Sequence, residues 1–233
     1  EFRDYFRKWF VGILPALLDD TVVNHEILVL IGEQGLYKTT WFNFLLPPEL
    51  RCYFYTKTNS DRLNKDDLFS LTEFALICFE ELDGMRPAEL NQLKAMVTMP
   101  YVNERAAYGR NKERHPHIAS FCGTGNNVQF LTDPTGNRRW LPFEVSQIRD
   151  PHLHAIPYEL VYSQAYALWK SGFCHWFSQE EIRVLNTHNS RFEVPNLEED
   201  LIRTHFRKPF EGETGIFVTA ADILEQISSC LRY

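Results

Sequence analysis

Apolar residues cluster into a few short, uninterrupted runs set between stretches of helical spacing. Residues 26–31 (EILVLI), Phe74–Phe79 and residues 118–127 (IASFCGTGNN) are such runs, bounded by polar or glycine-rich segments. Runs of this length predict strands buried on both faces, as parallel strands are. Trp140–Val145 predicts a fourth strand, and the alternating Cys52–Tyr55 a fifth. Residues 1–19 place Phe2, Phe6, Trp9, Phe10, Ile13 and Leu14 at helical spacing, with Gly12 and Pro15 near the expected end. Further helices are predicted over 59–71, over 84–99 with Pro87 in the first turn, and over 156–177. Ser178 is set to cap another helix, and Thr219 opens a short one; residues 186–216 read as polar and turn-rich. Strands alternating with helices predict an α/β fold with a central, mainly parallel sheet flanked by helices. The expected division is an N-terminal helical segment (1–25), a core (26–147), a helical part of the same domain (148–200), and the start of a winged-helix-like segment (201–233).

Composition narrows the class. The chain has 233 residues, 44% hydrophobic and 24% charged, which suits a packed core. No apolar run approaches the roughly 20 residues of a membrane span. The five cysteines are scattered, with no C-x-x-C pair, so reduced thiols and a cytoplasmic location are expected. The chain starts at Glu1 rather than methionine, and we expect a piece of something longer. A net charge of −7 argues against a general nucleic-acid sponge but leaves room for a local basic surface.

The first strand leads into a glycine loop, Gly32-Glu33-Gln34-Gly35-Leu36-Tyr37, followed by Lys38, Thr39 and Thr40 at the head of a helix. Strand, loop, Lys-Thr, helix is the order of a phosphate-binding P-loop, in which loop amides cradle phosphate oxygens. Lys38 would reach the β- and γ-phosphates and the Thr39 hydroxyl would hold Mg²⁺. The residue before the lysine is Tyr37 where the pattern has glycine. A requirement for φ > 0 there would cost a tyrosine steric energy. The alternative is an ordinary glycine-rich strand–helix turn.

The second strand ends in Glu80 and Glu81, with Asp83 close behind. Acids at the C-terminal end of a buried strand face the ligand crevice of an open α/β sheet. Glu80 would hold Mg²⁺ through water, and Glu81 would polarise the attacking water. A polar, basic stretch follows, with Arg105, Tyr108, Arg110, Lys112, Arg114, His115 and His117. It reads as a loop or hairpin able to meet a phosphate backbone or a stacked base, or else as a solvated loop. The third strand ends in Thr124-Gly125-Asn126-Asn127, whose amide could orient a water or a γ-phosphate. Arg138 and Arg139 are candidates for stabilising phosphoryl charge, or for pairing with Asp133 or Glu144.

The motifs GEQGLYKTTWF, ICFEELDG, AAYGR, GTGNN and LTDPTGNRRWLPFEV resemble, in that order, those of the virulence-associated protein E family, from about residue 5 to about residue 200. The resemblance implies an AAA-like P-loop NTPase related to superfamily 3 helicases, from phages or mobile elements and often joined to a primase domain. It implies ATP and Mg²⁺ as cofactors, with Gly32, Gln34, Gly35, Leu36, Tyr37, Lys38, Thr39 and Thr40 around the nucleotide. Lys38 and Thr39 match the Walker A lysine and hydroxyl, Glu80 and Glu81 the Walker B acids, and Asn126 the polar sensor. Arg110, Arg138 and Arg139 are candidates for an arginine acting on a neighbouring subunit's nucleotide, which implies a homo-oligomeric ring, such as a hexamer. The expected activity is ATP-driven movement on single-stranded DNA, with Arg105, Tyr108, Arg110, Lys112 and Arg114 as the contact. The competing expectation is a catalytically inactive P-loop module that binds DNA or acts as a scaffold.

Overall fold

The structure, a computed structural model, describes residues 1–58, 65–104, 113–132, 137–210 and 212–230. In chain order the elements are α1 (Phe2–Leu18), β1 (Ile27–Ile31), α2 (Lys38–Asn43), β2 (Phe54–Lys57), α3 (Lys65–Glu73) and β3 (Leu76–Phe79). There follow α4 (Pro87–Val97), β4 (Tyr101–Glu104), β5 (Glu113–Pro116), β6 (Ser120–Gly125), β7 (Trp140–Glu144), α5 (Tyr158–Lys170), α6 (Gln179–Asn189), α7 (Leu197–His205) and α8 (Ala220–Cys230). They form two compact units, Glu1–Glu193 and Val194–Tyr233.

The first unit is built on a five-stranded parallel sheet of order β2-β3-β6-β1-β7. Side chains alternate across it. Leu28, Leu30, Cys78, Cys122 and Leu141 face α1, α2, α5 and α6; Ile27, Val29, Ile31, Ile77 and Phe121 face α3 and α4. Both faces are covered, which is why these strands read as unbroken apolar runs. Ile27 pairs with Phe121 and Trp140, and Ile31 with Gly125 and Glu144. The starts of β1, β6 and β7 therefore share one edge and their ends the other. The chain leaves β1 for β2 at the far side of the sheet, so strand order reverses beside β1. A crevice for ligand opens at the C-terminal edge of such a switch point.

Helix α1 covers nearly all of the expected 1–19 stretch, with Pro15 close to its end. The ring removes one backbone bond, but Trp9, Ile13 and Ala16 are buried around it and hold the turn by packing. The Trp9 indole N–H donates to the Phe121 carbonyl at 2.8 Å, satisfying the polar end of a fully buried ring. Asn24 donates to the Trp9 carbonyl and to Ser120 Oγ, fixing the entry into β1. The predicted strand at Cys52–Tyr55 is instead a 3₁₀ turn over Pro48–Tyr53 with β2 beginning at Phe54; Pro47-Pro48 sets the φ of that turn. Of the basic stretch, the described residues form an antiparallel pair, β4 with β5, with Tyr101 opposite Pro116; residues 105–112 lie outside the described residues. Ser178 and Glu181 form a reciprocal capping box on α6.

The second unit has α7 in a stretch expected to be irregular, and α8, whose cap is Thr219 bonded to Asp222. An Arg207–Glu213 ion pair at 2.7 Å lies between them in sequence. Among the described residues no helix is long and apolar enough to cross a membrane.

Candidate functional site

The glycine loop leaves β1 at the C-terminal edge of the sheet. Gly32 donates its N–H to the Gly125 carbonyl at 3.2 Å, and a Cβ on Gly32 would run into the Val145 carbonyl oxygen, so the first loop position accepts only glycine. Gly35 has φ 87°. Tyr37 has φ 59° and ψ 21°, the left-handed conformation a glycine would adopt freely. The anticipated conflict at Tyr37 is therefore present: the loop keeps its left-handed turn and the tyrosine carries the strain. Its side chain is 43% exposed at the rim.

Lys38 opens α2 and is buried, with Nζ donating to the carbonyls of Gly32 (2.6 Å) and Glu33 (2.8 Å) and to Asn126 Oδ1 (3.2 Å). All three ammonium protons are engaged. Burial lowers its pKa, opposed by the charge of Asp83. Thr39 Oγ1 donates to Glu80 Oε1 at 2.7 Å, joining the loop to the end of β3. Glu80 is held from behind by its own N–H, which donates to the Lys57 carbonyl at 2.9 Å. Glu81 has φ 54°, a second left-handed residue that is not glycine. Strain of this kind gathers where function over-determines the backbone.

Asp83, the acid close behind Glu80 and Glu81, serves the frame of the site. Its carboxylate accepts from the backbone N–H groups of Asn126 (3.1 Å) and Asn127 (3.0 Å), so it fixes the end of β6. Gly125 must lack a side chain for this contact, since a Cβ there would sit 3.0 Å from Asp83 Oδ1. Thr124, also buried, lines the same hollow. The signal for this link was faint: an acid four residues past the strand end, and a glycine before the amide.

Together these groups wall one cavity of about 410 Å³, within the range of small-molecule sites. Of the expected residues, Gln34, Gly35, Leu36, Tyr37 and Lys38 line it on the loop side, continued by Thr39 and Thr40. Glu80, Glu81 and Asn126 line it on the sheet side. Gly32 supports the loop from below. Arg138 and Arg139 are not part of it. They form a 3₁₀ turn just before Trp140, at the start of β7 and so at the opposite edge of the sheet. Arg114 lies on β5 with its guanidinium 3.6 Å from the Tyr101 ring centroid. Arg105, Tyr108, Arg110 and Lys112 lie outside the described residues. Among the described residues no cluster of three or more His, Cys, Asp or Glu could hold a metal. A Mg²⁺ ion of the expected kind would instead use one hydroxyl, one carboxylate and phosphate oxygens, and Thr39 with Glu80 presents that pair.

The fold and this edge define the class: a parallel α/β protein whose switch-point crevice gathers a lysine, a hydroxyl–carboxylate pair and an amide. The chain belongs to the virulence-associated protein E-like domain family, whose model matches residues 2–194. No curated protein matches the chain. Among solved structures, it is similar to apo forms of the NrS-1 C-terminal region. One is 13% identical with a TM-score of 0.45, covering 82% of this chain and 39% of that one. Another is 12% identical with a TM-score of 0.47, covering 95% and 57%. A third is 13% identical with a TM-score of 0.44, covering 89% and 48%. The chain thus spans between 39% and 57% of the length of these structures.

Proposed function

We propose that the first unit is a P-loop NTPase that hydrolyses ATP with Mg²⁺ as part of a phage or mobile-element replication protein acting on DNA. The observation that carries this reading is the convergence of Lys38, the Thr39–Glu80 pair and Asn126 on one cavity at the switch point. Lys38 is held by two loop carbonyls and an amide oxygen, partners that triphosphate oxygens would replace. Thr39 and Glu80 would hold Mg²⁺, which when bound offsets phosphate charge. Glu81, at the rim, is the candidate to polarise the attacking water. Asn126, tied to Lys38 and fixed through Asp83, is the candidate to orient that water or the γ-phosphate. In this reading an arginine from a neighbouring subunit completes the site, and a ring of copies joined to a primase domain in the longer protein follows. The sheet-edge position of Arg138 and Arg139 supports a role toward another subunit rather than toward the chain's own cavity; Arg110 is the third candidate. The hairpin bearing Arg114 is the proposed DNA contact.

The test is steady-state ATP hydrolysis with and without single-stranded DNA. DNA-stimulated turnover is expected, with a loss of at least a hundredfold in Lys38→Ala, since phosphoryl transfer rests on charge stabilisation at this position. Turnover retained in that variant would refute the site. One observation favours a second reading, a nucleotide-free DNA-binding or scaffolding module: a bulky residue, Tyr37, stands at the left-handed loop position. That reading predicts no ATP-dependent shift in melting temperature while DNA still binds.

A further inference from the structure

The opposite edge of the sheet carries a second cavity, of about 350 Å³, separate from the one at the glycine loop. Glu26, just before β1, Arg138 and Arg139, just before β7, and Thr98, just after α4, form its polar wall; Trp176, Phe177 and Ile182 form its apolar wall. Among the described residues neither arginine is held in a hydrogen bond or ion pair. Arg139 is the recessed member and Arg138 the exposed one. Their mutual repulsion is relieved only in part by the Glu26 carboxyl. Among the described residues the pair is thus two planar donor forks with no acceptor bonded to them.

The aromatic wall is held in place. Lys8 donates to the Trp176 carbonyl at 2.8 Å and pairs with Glu181 at 2.9 Å, pinning the segment just ahead of the α6 cap. Phe177 is buried as the floor, whereas Trp176 is 56% exposed, so a large flat ring stands open beside the guanidinium pair. The same sheet edge carries the base of the β4–β5 hairpin, because the chain runs from Pro116 through Ala119 directly into the start of β6.

We infer that this cavity takes one nucleotide unit, with the base against Trp176 and the phosphate on Arg139 and Arg138. An aromatic platform beside a guanidinium pair is the chemistry that holds a base and its phosphate without reading sequence. The volume suits one such unit. The unit comes either from a single strand continuing past the hairpin or from a free nucleotide. The site lies at the far edge from the glycine loop and does not depend on hydrolysis there.

Two probes separate the sources: fluorescein-labelled oligothymidylate followed by anisotropy, and thymidine monophosphate followed by equilibrium dialysis, both with the 233-residue chain. Arg139→Ala and Trp176→Ala are each expected to weaken binding roughly tenfold. Arg139 is partly buried, so Arg138→Ala and Trp176→Ala, both at exposed positions, serve as second variants, with circular dichroism confirming that each is folded. Sensitivity with the oligonucleotide alone identifies a strand; sensitivity with the mononucleotide as well identifies a free-nucleotide site. Binding of both probes that is unchanged in the folded Arg138 and Trp176 variants would overturn the inference.

Discussion

Tyr37 is the residue on which the chemistry of the loop turns, and replacing it separates backbone from ring. At φ 59° a side chain with a Cβ carries left-handed strain, of about 1–2 kcal/mol. Tyr37→Gly removes that strain but adds the roughly 0.5–1 kcal/mol of chain freedom that glycine loses on folding. Tyr37→Ala removes the ring and keeps the strain. The glycine variant should therefore exceed the alanine variant in stability by up to about 1 kcal/mol. Gly35→Ala calibrates the figure in the same loop: its φ is 87° and a Cβ there meets nothing within 4 Å, so its net cost of up to about 1.5 kcal/mol is left-handed strain less the chain freedom that alanine removes from the unfolded state. Urea denaturation of the three variants measures the differences. ATP titration followed by thermal melting then reads whether the unstrained loop binds more tightly, which the glycine variant should do. A glycine variant less stable than the alanine variant would show that the loop is not strained at this position, and the explanation would fail.

The remaining predictions concern the frame around the site. Burial pushes the Glu26 carboxyl from an ordinary 4.5 up to about 7. The folded form then keeps a proton that the unfolded chain releases, so stability falls as pH rises from about 4.5 to about 7 and levels off above. Glu26→Gln should show no such fall and gain on the parent by at most about 3 kcal/mol at pH 8; parallel melts at pH 5 and pH 8 with no difference in the gain would contradict this. Gly123 lies against Leu82, where a Cβ would overlap the leucine side chain. Gly123→Ala should destabilise by about 1–3 kcal/mol in urea unfolding, and Leu82→Ala in the same chain should recover part of the strain.

Much of the frame was legible because burial leaves a mark on sequence. The runs 26–31 and Phe74–Phe79 became β1 and β3 because both faces of a parallel strand are covered, and no other element needs so short an unbroken apolar run. That Lys38, Thr39, Glu80 and Asn126 would meet was legible because they sit at strand ends or loop exits, where the fold brings them to one edge. What could not be read is what depends on register. That Arg138 and Arg139 fall at the opposite edge follows from Trp140 pairing with Ile27, a long-range fact with no local signal. Asp83 likewise acts through the amides of Asn126 and Asn127, more than forty positions on.

The central claim is that ATP with Mg²⁺ binds at the cavity between Lys38 and Glu80. Isothermal titration of the parent chain and of Lys38→Ala with ATP, in the presence and absence of Mg²⁺, tests it most directly. The account predicts saturable binding to the parent that strengthens with Mg²⁺ and is lost in the variant. Binding of equal strength in both proteins, or none to the parent at millimolar ATP, would contradict it.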